Sequence, residues 1–243
     1  MSIATRETLK LSAYEPLEGI AKQECPTCKR RRMFFCYDCR QPMAGVFCPQ
    51  VELPCLVDII KHPKEKNSKS TAIHCKITAP KSTTLYSLDD IPNYSAEANT
   101  VLVFPSDDAI SVEDYVKQHG EIKRFVVLDS TWFQTSVMQR IPEIKGLPCV
   151  HLKNYRTAFW RPQHKLDEHH LATIEAIYYA LVEYHNAKKE REYEGEFDDL
   201  LYWFMLMRGK YDTREEAYFK RKAEDEADAL AEGSEAKKTR ANS

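Results

Sequence analysis

Short, wholly apolar runs alternate with amphipathic stretches through the body of the chain, from about residue 48 to 208. The strand candidates are Leu56–Ile60, Ile73–Thr78, Val101–Phe104, Arg124–Asp129 and Pro148–Leu152. Several are continuous, as in VLVF and FVVL, rather than alternating. Continuous runs suit strands buried on both faces, as in a sheet covered by helices. Ser111 with an acid three residues on reads as a helix N-cap, and Gly120 closes that helix. A second helix runs from Thr131 to Ile141 and is stopped by Pro142. A third spans about Asp167 to Lys188, and a fourth about Phe197 to Arg208, ending at Gly209. Strand and helix in alternation predict an α/β fold.

Composition narrows the classes. The chain has 243 residues, 43% hydrophobic and 30% charged, with 7 Gly against 12 Pro. That is the balance of a soluble globular domain and not of a collagenous or low-complexity chain. A net charge of -2 excludes a uniformly basic nucleic-acid binder but leaves room for a local basic surface. No run of about 18 apolar residues is present, so no membrane span is expected. The first residues lack an apolar core, so neither signal peptide nor anchor is expected. The 8 Cys are therefore read as free thiols or metal ligands. Four regions follow: a loosely tied segment at 1–24, a cysteine module at 25–47, the α/β body at 48–210, and a charged helix fraying into a disordered tail at 211–243.

Cys25-x-x-Cys28 and Cys36-x-x-Cys39 are two turns, each able to aim two thiolates at one point. Together they complete a tetrahedral sulfur site that suits zinc, with no open position, hence a structural metal. Between them lie Lys29, Arg30, Arg31 and Arg32. This is either a phosphate-backbone clamp or an ordinary solvated basic turn. Cys48, Cys55, Cys75 and Cys149 read as isolated thiols.

The run Phe125-Val-Val-Leu128-Asp129-Ser130-Thr131-Trp132 delivers an acid to the C-terminal end of a buried strand, where ligands gather in α/β sheets. The helix start that follows favours an anion. Asp129 is a candidate general base or a hydrogen-bond acceptor for a ligand, and Trp132 a flat wall for a base. The plainer reading is that Thr131-x-x-Gln134 only caps the helix and Asp129 only forms the turn. Further on, Lys153-Asn-Tyr155-Arg156-Thr-Ala-Phe159-Trp160-Arg161 interleaves cations with aromatics. It is either an RNA-contacting segment, with Arg156 and Arg161 on phosphates, or a covering strip with its aromatics in the core. Glu175 sits at the edge of the apolar face Leu171, Ile174, Tyr178, Leu181, Val182 and needs a partner there, structural or ligand. His62, just past a strand, is a site candidate or a simple turn residue. His169 and His170 read as solvated or capping.

Asp129-Ser130-Thr131-Trp132 resembles the Asp-x-Thr-Trp signature of the DTW-domain family, the tRNA-uridine aminocarboxypropyltransferases. Other segments resemble it in the same order: the four cysteines, His62-Pro-Lys-Glu65, Lys69-Ser70-Thr71-Ala72, Val103-Phe104-Pro105 with Asp107-Asp108-Ala109, Tyr155-Arg156-Thr157, Phe159-Trp160-Arg161, and Thr173-Ile174-Glu175-Ala176. The resemblance covers about residues 25 to 208. One departure is Ser106, where the family often has glycine.

The resemblance implies a SPOUT-like, knotted α/β fold with a mostly parallel sheet, helices on both faces and the zinc module attached. It implies transfer of the 3-amino-3-carboxypropyl group of S-adenosylmethionine to N3 of a tRNA uridine, in the D-loop, releasing methylthioadenosine. The implied donor-site residues are Phe104, Pro105, Leu128, Thr131, Trp132 and Glu175. The implied catalytic set is Asp129, Ser130, Thr131 and Trp132. The implied RNA contacts are Arg30, Arg31, Arg32, His62, Tyr155, Arg156 and Arg161. The resemblance and the Lys237-Lys-Thr-Arg run together point to the nucleus. The other classes left open are a non-catalytic zinc-containing RNA binder and a SPOUT-like methyltransferase.

Overall fold

The computed structural model describes residues 4–94, 97–160, 168–188 and 191–212. Two small antiparallel hairpins come first: β1 (Gln23–Glu24) with β2 (Arg31–Arg32), and β3 (Phe35–Cys36) with β4 (Gln41–Pro42). Six strands then form one sheet: β5 (Leu56–Lys61), β6 (Thr83–Tyr86), β7 (Thr100–Val103), β8 (Ile110–Ser111), β9 (Arg124–Asp129) and β10 (Cys149–His151). Their order is β6-β5-β9-β7-β10-β8, and every pairing is parallel. The longest register aligns Leu56 with Arg124 and Lys61 with Asp129, so β5 and β9 end side by side.

Both faces of the sheet are covered, which is why β5 and β9 read as unbroken apolar runs. Val57, Ile59, Phe125 and Val127 face one layer, made by α1 (Ala72–Thr78), α2 (Val112–His119) and α4 (Thr173–Lys188). Ile60, Leu102, Val126 and Leu128 face the other, with Met138 of α3 (Trp132–Met138), Ile144 and Tyr94. Asp58 points to this second side and is 1% exposed. Arg124 Nη1 donates to it at 2.8 Å and the Tyr94 hydroxyl at 2.9 Å.

The expected strand at Ile73–Thr78 is instead the helix α1. Every residue of α1 except Lys76 is buried, and over so short a run neither period shows. The strand on that side is β6, whose TTLY sequence carries little apolar signal because it lies at the sheet edge. Ser111 caps α2 by accepting from the Asp114 N–H, and Gly120 closes it at φ 85°. Thr131 and Gln134 form the capping box of α3. That helix ends at Met138, three residues short of Ile141, and turns fill the path to Leu147. α4 begins at Thr173 rather than Asp167. A 3₁₀ turn, Asp198–Leu201, leads into the last described helix, α5 (202–212). α5 continues through Gly209, where the sequence predicted a stop; Gly209 is not among the positive-φ residues a glycine cap requires.

The cysteine hairpins share their core with the body. Phe34, Cys36 and Met43 pack with Ile73 and Ile77 of α1 and with Tyr202 and Trp203 of α5. Residues 4–17, expected to be loosely tied, are strapped down. The backbone N–H groups of Lys10 and Ser12 each donate at 2.7 Å, to Asp198 and Asp199 respectively, and Tyr14 stacks on Tyr202 at 4.5 Å. Among the described residues, no helix is long and apolar enough to cross a membrane. Arg161, part of the expected α4 start and the tail beyond 212 lie outside the described residues.

Candidate active site and metal centre

Asp129 ends β9, and its carboxylate is 2% exposed. Ser70, from the turn before α1, donates to Oδ2 at 2.7 Å; Thr173, the first residue of α4, donates to Oδ1 at 2.9 Å. Three elements therefore meet on one carboxylate. Burial pushes its pKa above the ordinary aspartate value, and the two hydroxyls pull it partly back. A carboxylate in that setting is a better base than a solvated one. Ser70 and Thr173 were not among the site residues read from sequence. Both fall in segments that carried the family likeness, yet a lone hydroxyl has no spacing that reveals its partner.

A cleft of about 270 Å³ opens at the C-terminal ends of β7, β9 and β10. Phe104, Pro105 and Leu128 line it together with Ser130, Leu171 and Thr173. Ser130 Oγ lies 3.1 Å from Thr135 Oγ1. Ser106 stands in the Phe104-Pro105 loop without a positive φ, so the change from glycine brings no backbone strain there. Thr131 is exposed at the start of α3; Trp132 opens the helix, and its side chain is outside the described part.

Glu175 does not reach this cleft. Its side chain accepts from Thr157 Oγ1 at 2.6 Å, from the Ala158 N–H at 2.6 Å and from the Ala172 N–H at 2.8 Å, and the residue is 0% exposed. Burial raises its pKa against these three donors. The arrangement is the structural alternative: Glu175 pins the 157–158 strip to the start of α4.

The four sulfurs of Cys25, Cys28, Cys36 and Cys39 lie within 4.8 Å of one another. Each turn closes in the same way. Lys29 N–H donates to Cys25 O at 2.9 Å with φ 59° at Lys29; Arg40 N–H donates to Cys36 O at 2.7 Å with φ 58° at Arg40. The Cys28 and Thr27 N–H groups hold the Cys25 thiol down to about 6, while burial, with the neighbouring sulfurs, pushes Cys36 and Cys39 up, as in four thiols crowded together until a cation stabilises them as thiolates. Four thiolates around zinc at about 2.3 Å sit within such a spacing. The donor set fits a closed, structural zinc centre.

The expected RNA contacts separate. Arg30 and Arg32 both bond Asp38 Oδ2, at 2.9 and 2.7 Å, and Arg32 also stacks on Tyr37. Arg31 is exposed. Arg156 pairs with Glu168 on the surface. Tyr155 stacks on Tyr179 at 3.7 Å. Phe159 and Trp160 are half-buried against Phe204. His62 follows β5, its N–H donating to Asp129 O at 3.0 Å; burial and the nearby Lys64 and Lys61 lower its pKa. A second groove, of about 630 Å³, runs between the cysteine hairpins and the body.

The DTW-domain family pattern matches residues 33–212. The tRNA-uridine aminocarboxypropyltransferase 1 of Xenopus tropicalis is 34% identical over 247 residues, 83% of this chain and 84% of that protein. The human protein of the same name is 33% identical over 256 residues, 85% and 84% of the two chains. A solved structure, the SAM-dependent rRNA:acp-transferase Tsr3 from Vulcanisaeta distributa, aligns with TM-score 0.38 at 19% identity over 65% of this chain and 82% of that one.

Proposed function

This chain belongs to the DTW-domain family, and from that premise we propose that it is a tRNA-uridine aminocarboxypropyltransferase. The donor is S-adenosylmethionine and the acceptor atom is N3 of a tRNA uridine. The sulfonium makes several carbons electrophilic, and alignment decides which one reacts. The uridine N3–H gives up its proton towards Asp129. N3 forms a bond to the methionine γ-carbon as the γ-carbon–sulfur bond breaks. The electron pair of that bond goes to sulfur, and neutral methylthioadenosine leaves.

The observation that carries this reading is the buried Asp129 at the end of β9, held by Ser70 and Thr173 beside the cleft. A protein that only bound RNA would not need it. Phe104, Pro105 and Leu128 supply apolar walls for the donor's adenosine. The zinc centre is structural. Arg31 and Arg156 serve as phosphate contacts, and the nucleus is the site of action.

The test mixes the protein with labelled S-adenosylmethionine and unmodified tRNA. Release of methylthioadenosine is the expected result. S-adenosylhomocysteine would make the protein a methyltransferase, and neither product would leave only the RNA-binding reading. Fluorescence microscopy of the tagged full chain checks the compartment; exclusion from the nucleus would overturn that part.

A further inference from the structure

The second groove is bounded by the cysteine hairpins, the 67–71 turn, Phe159–Trp160 and the end of α5. We propose that it is the acceptor site, receiving one unstacked pyrimidine nucleotide of the RNA strand together with its flanking phosphates. The inference rests on the transferase reading above and adds where the acceptor lies.

Charge is the first argument. The chain as a whole is slightly acidic, at -2, yet the groove is lined by Lys22, Arg31, Arg32, Lys69 and Lys210, while Asp38, bonded to the lining residues Arg32 and Asn67, offsets part of that charge. The surplus of cations attracts a phosphate backbone. Shape and surface are the second. The groove is larger than the donor cleft, and the half-buried Phe159 and Trp160 offer ring surface on which a base stacks.

The third argument is position. Ser70 lines this groove and Thr173 lines the donor cleft, and both donate to the same carboxylate, Asp129. The buried acid thus stands between the two openings. A base entering from the groove beside Ser70 presents N3 to the acid and to the donor's γ-carbon together, and the N3 proton goes to Asp129 as N3 takes up the γ-carbon. In this arrangement the cysteine module is a wall of the substrate site as well as a folding unit.

The experiment uses the full zinc-loaded chain and an oligouridylate carrying 4-thiouridine. After irradiation, cross-linked peptides are mapped by mass spectrometry. Cross-links to residues 31–37, 67–71 or 159–160 are expected. Cross-links confined to the donor cleft or to other surfaces would overturn the proposal. A second arm measures Arg31→Ala/Lys69→Ala with unmodified tRNA. The salt dependence of binding should become shallower by about 0.7 for each lost phosphate contact, and donor affinity by calorimetry should stay unchanged. An unaltered salt slope would also overturn it. Neither arm needs turnover. A wild-type protein that releases no methylthioadenosine would therefore sink the transferase reading separately from the groove.

Discussion

Ser70 donates its hydroxyl to Asp129 across 59 positions of sequence, at 2.7 Å, and so fastens the turn before α1 to the end of the central strand. The bond stabilises the ionised form of an acid that burial otherwise pushes toward the neutral form. Ser70→Ala removes that pull, so the Asp129 pKa rises further. If the ionised acid is the working form, the acid limb of the kcat–pH profile moves to higher pH. Thr173→Val should move it the same way. A profile unmoved by both would detach Asp129 from proton transfer.

Asp129→Asn should lower turnover by about 10²–10⁴-fold, the usual contribution of a general base. Stability should change in the opposite sense. Because the folded pKa lies above the unfolded one, the native state binds more protons in the window between them, and stability falls as pH rises through it. Above the folded pKa the wild type carries that full penalty and the asparagine variant does not. Urea unfolding across a pH series should show the variant's advantage growing as pH rises and closing below the unfolded aspartate pKa.

Much of this site was legible in the sequence because it is built from local signals. The FVVLD run placed Asp129 at a strand end, and Thr131-x-x-Gln134 marked the helix start that the structure shows. Phe104, Pro105 and Leu128 line one cleft. Ser70 and Thr173 were not legible, since their roles come from chain crossings that join α1 and α4 to β9. The helix α1 was mistaken for a strand because its burial on nearly all sides erases the helical period. Glu175 was correctly seen to need a partner. Which partner depended on the 157–158 strip lying across the start of α4.

Glu175→Gln turns an amide N–H₂ toward donors that now find an acceptor. One buried donor loses its partner, at a cost of about 1–3 kcal/mol. Thermal or urea unfolding measures it. Affinity for S-adenosylmethionine should be retained, because the side chain is enclosed away from the cleft. A large loss of donor affinity in a folded variant would return Glu175 to the donor site.

Cys36→Ser or a strong chelator should remove the metal and loosen the hairpins, along with the Phe34 and Phe35 contacts on Trp203. Near-ultraviolet circular dichroism should lose intensity in step with zinc released. A spectrum indifferent to the chelator would argue against a structural metal.

Asp58→Ala strips the buried partner from Arg124 and Tyr94. Arg124 keeps Glu97 at 2.7 Å and is partly exposed, so the loss is mainly the unsatisfied buried Tyr94 hydroxyl and the missing charged acceptor, about 1–3 kcal/mol. Asp58 pairs with Val126, three residues back along the strands from the Lys61–Asp129 end, and points into the other layer's core, so turnover by the folded fraction should be little changed. Comparing the urea midpoint with specific activity separates the two effects.

The strap formed by Lys10, Ser12 and Tyr14 has its partners at Asp198, Asp199 and Tyr202, in the last fifth of the chain. On a ribosome the anchored residues emerge first and their anchors last. The apolar face of the cysteine hairpins likewise waits for Tyr202 and Trp203. Closing such long loops comes late in folding. The nascent chain therefore carries an uncovered greasy surface until Tyr202 and Trp203 have emerged, and shielding by chaperones over that stretch protects it from aggregation.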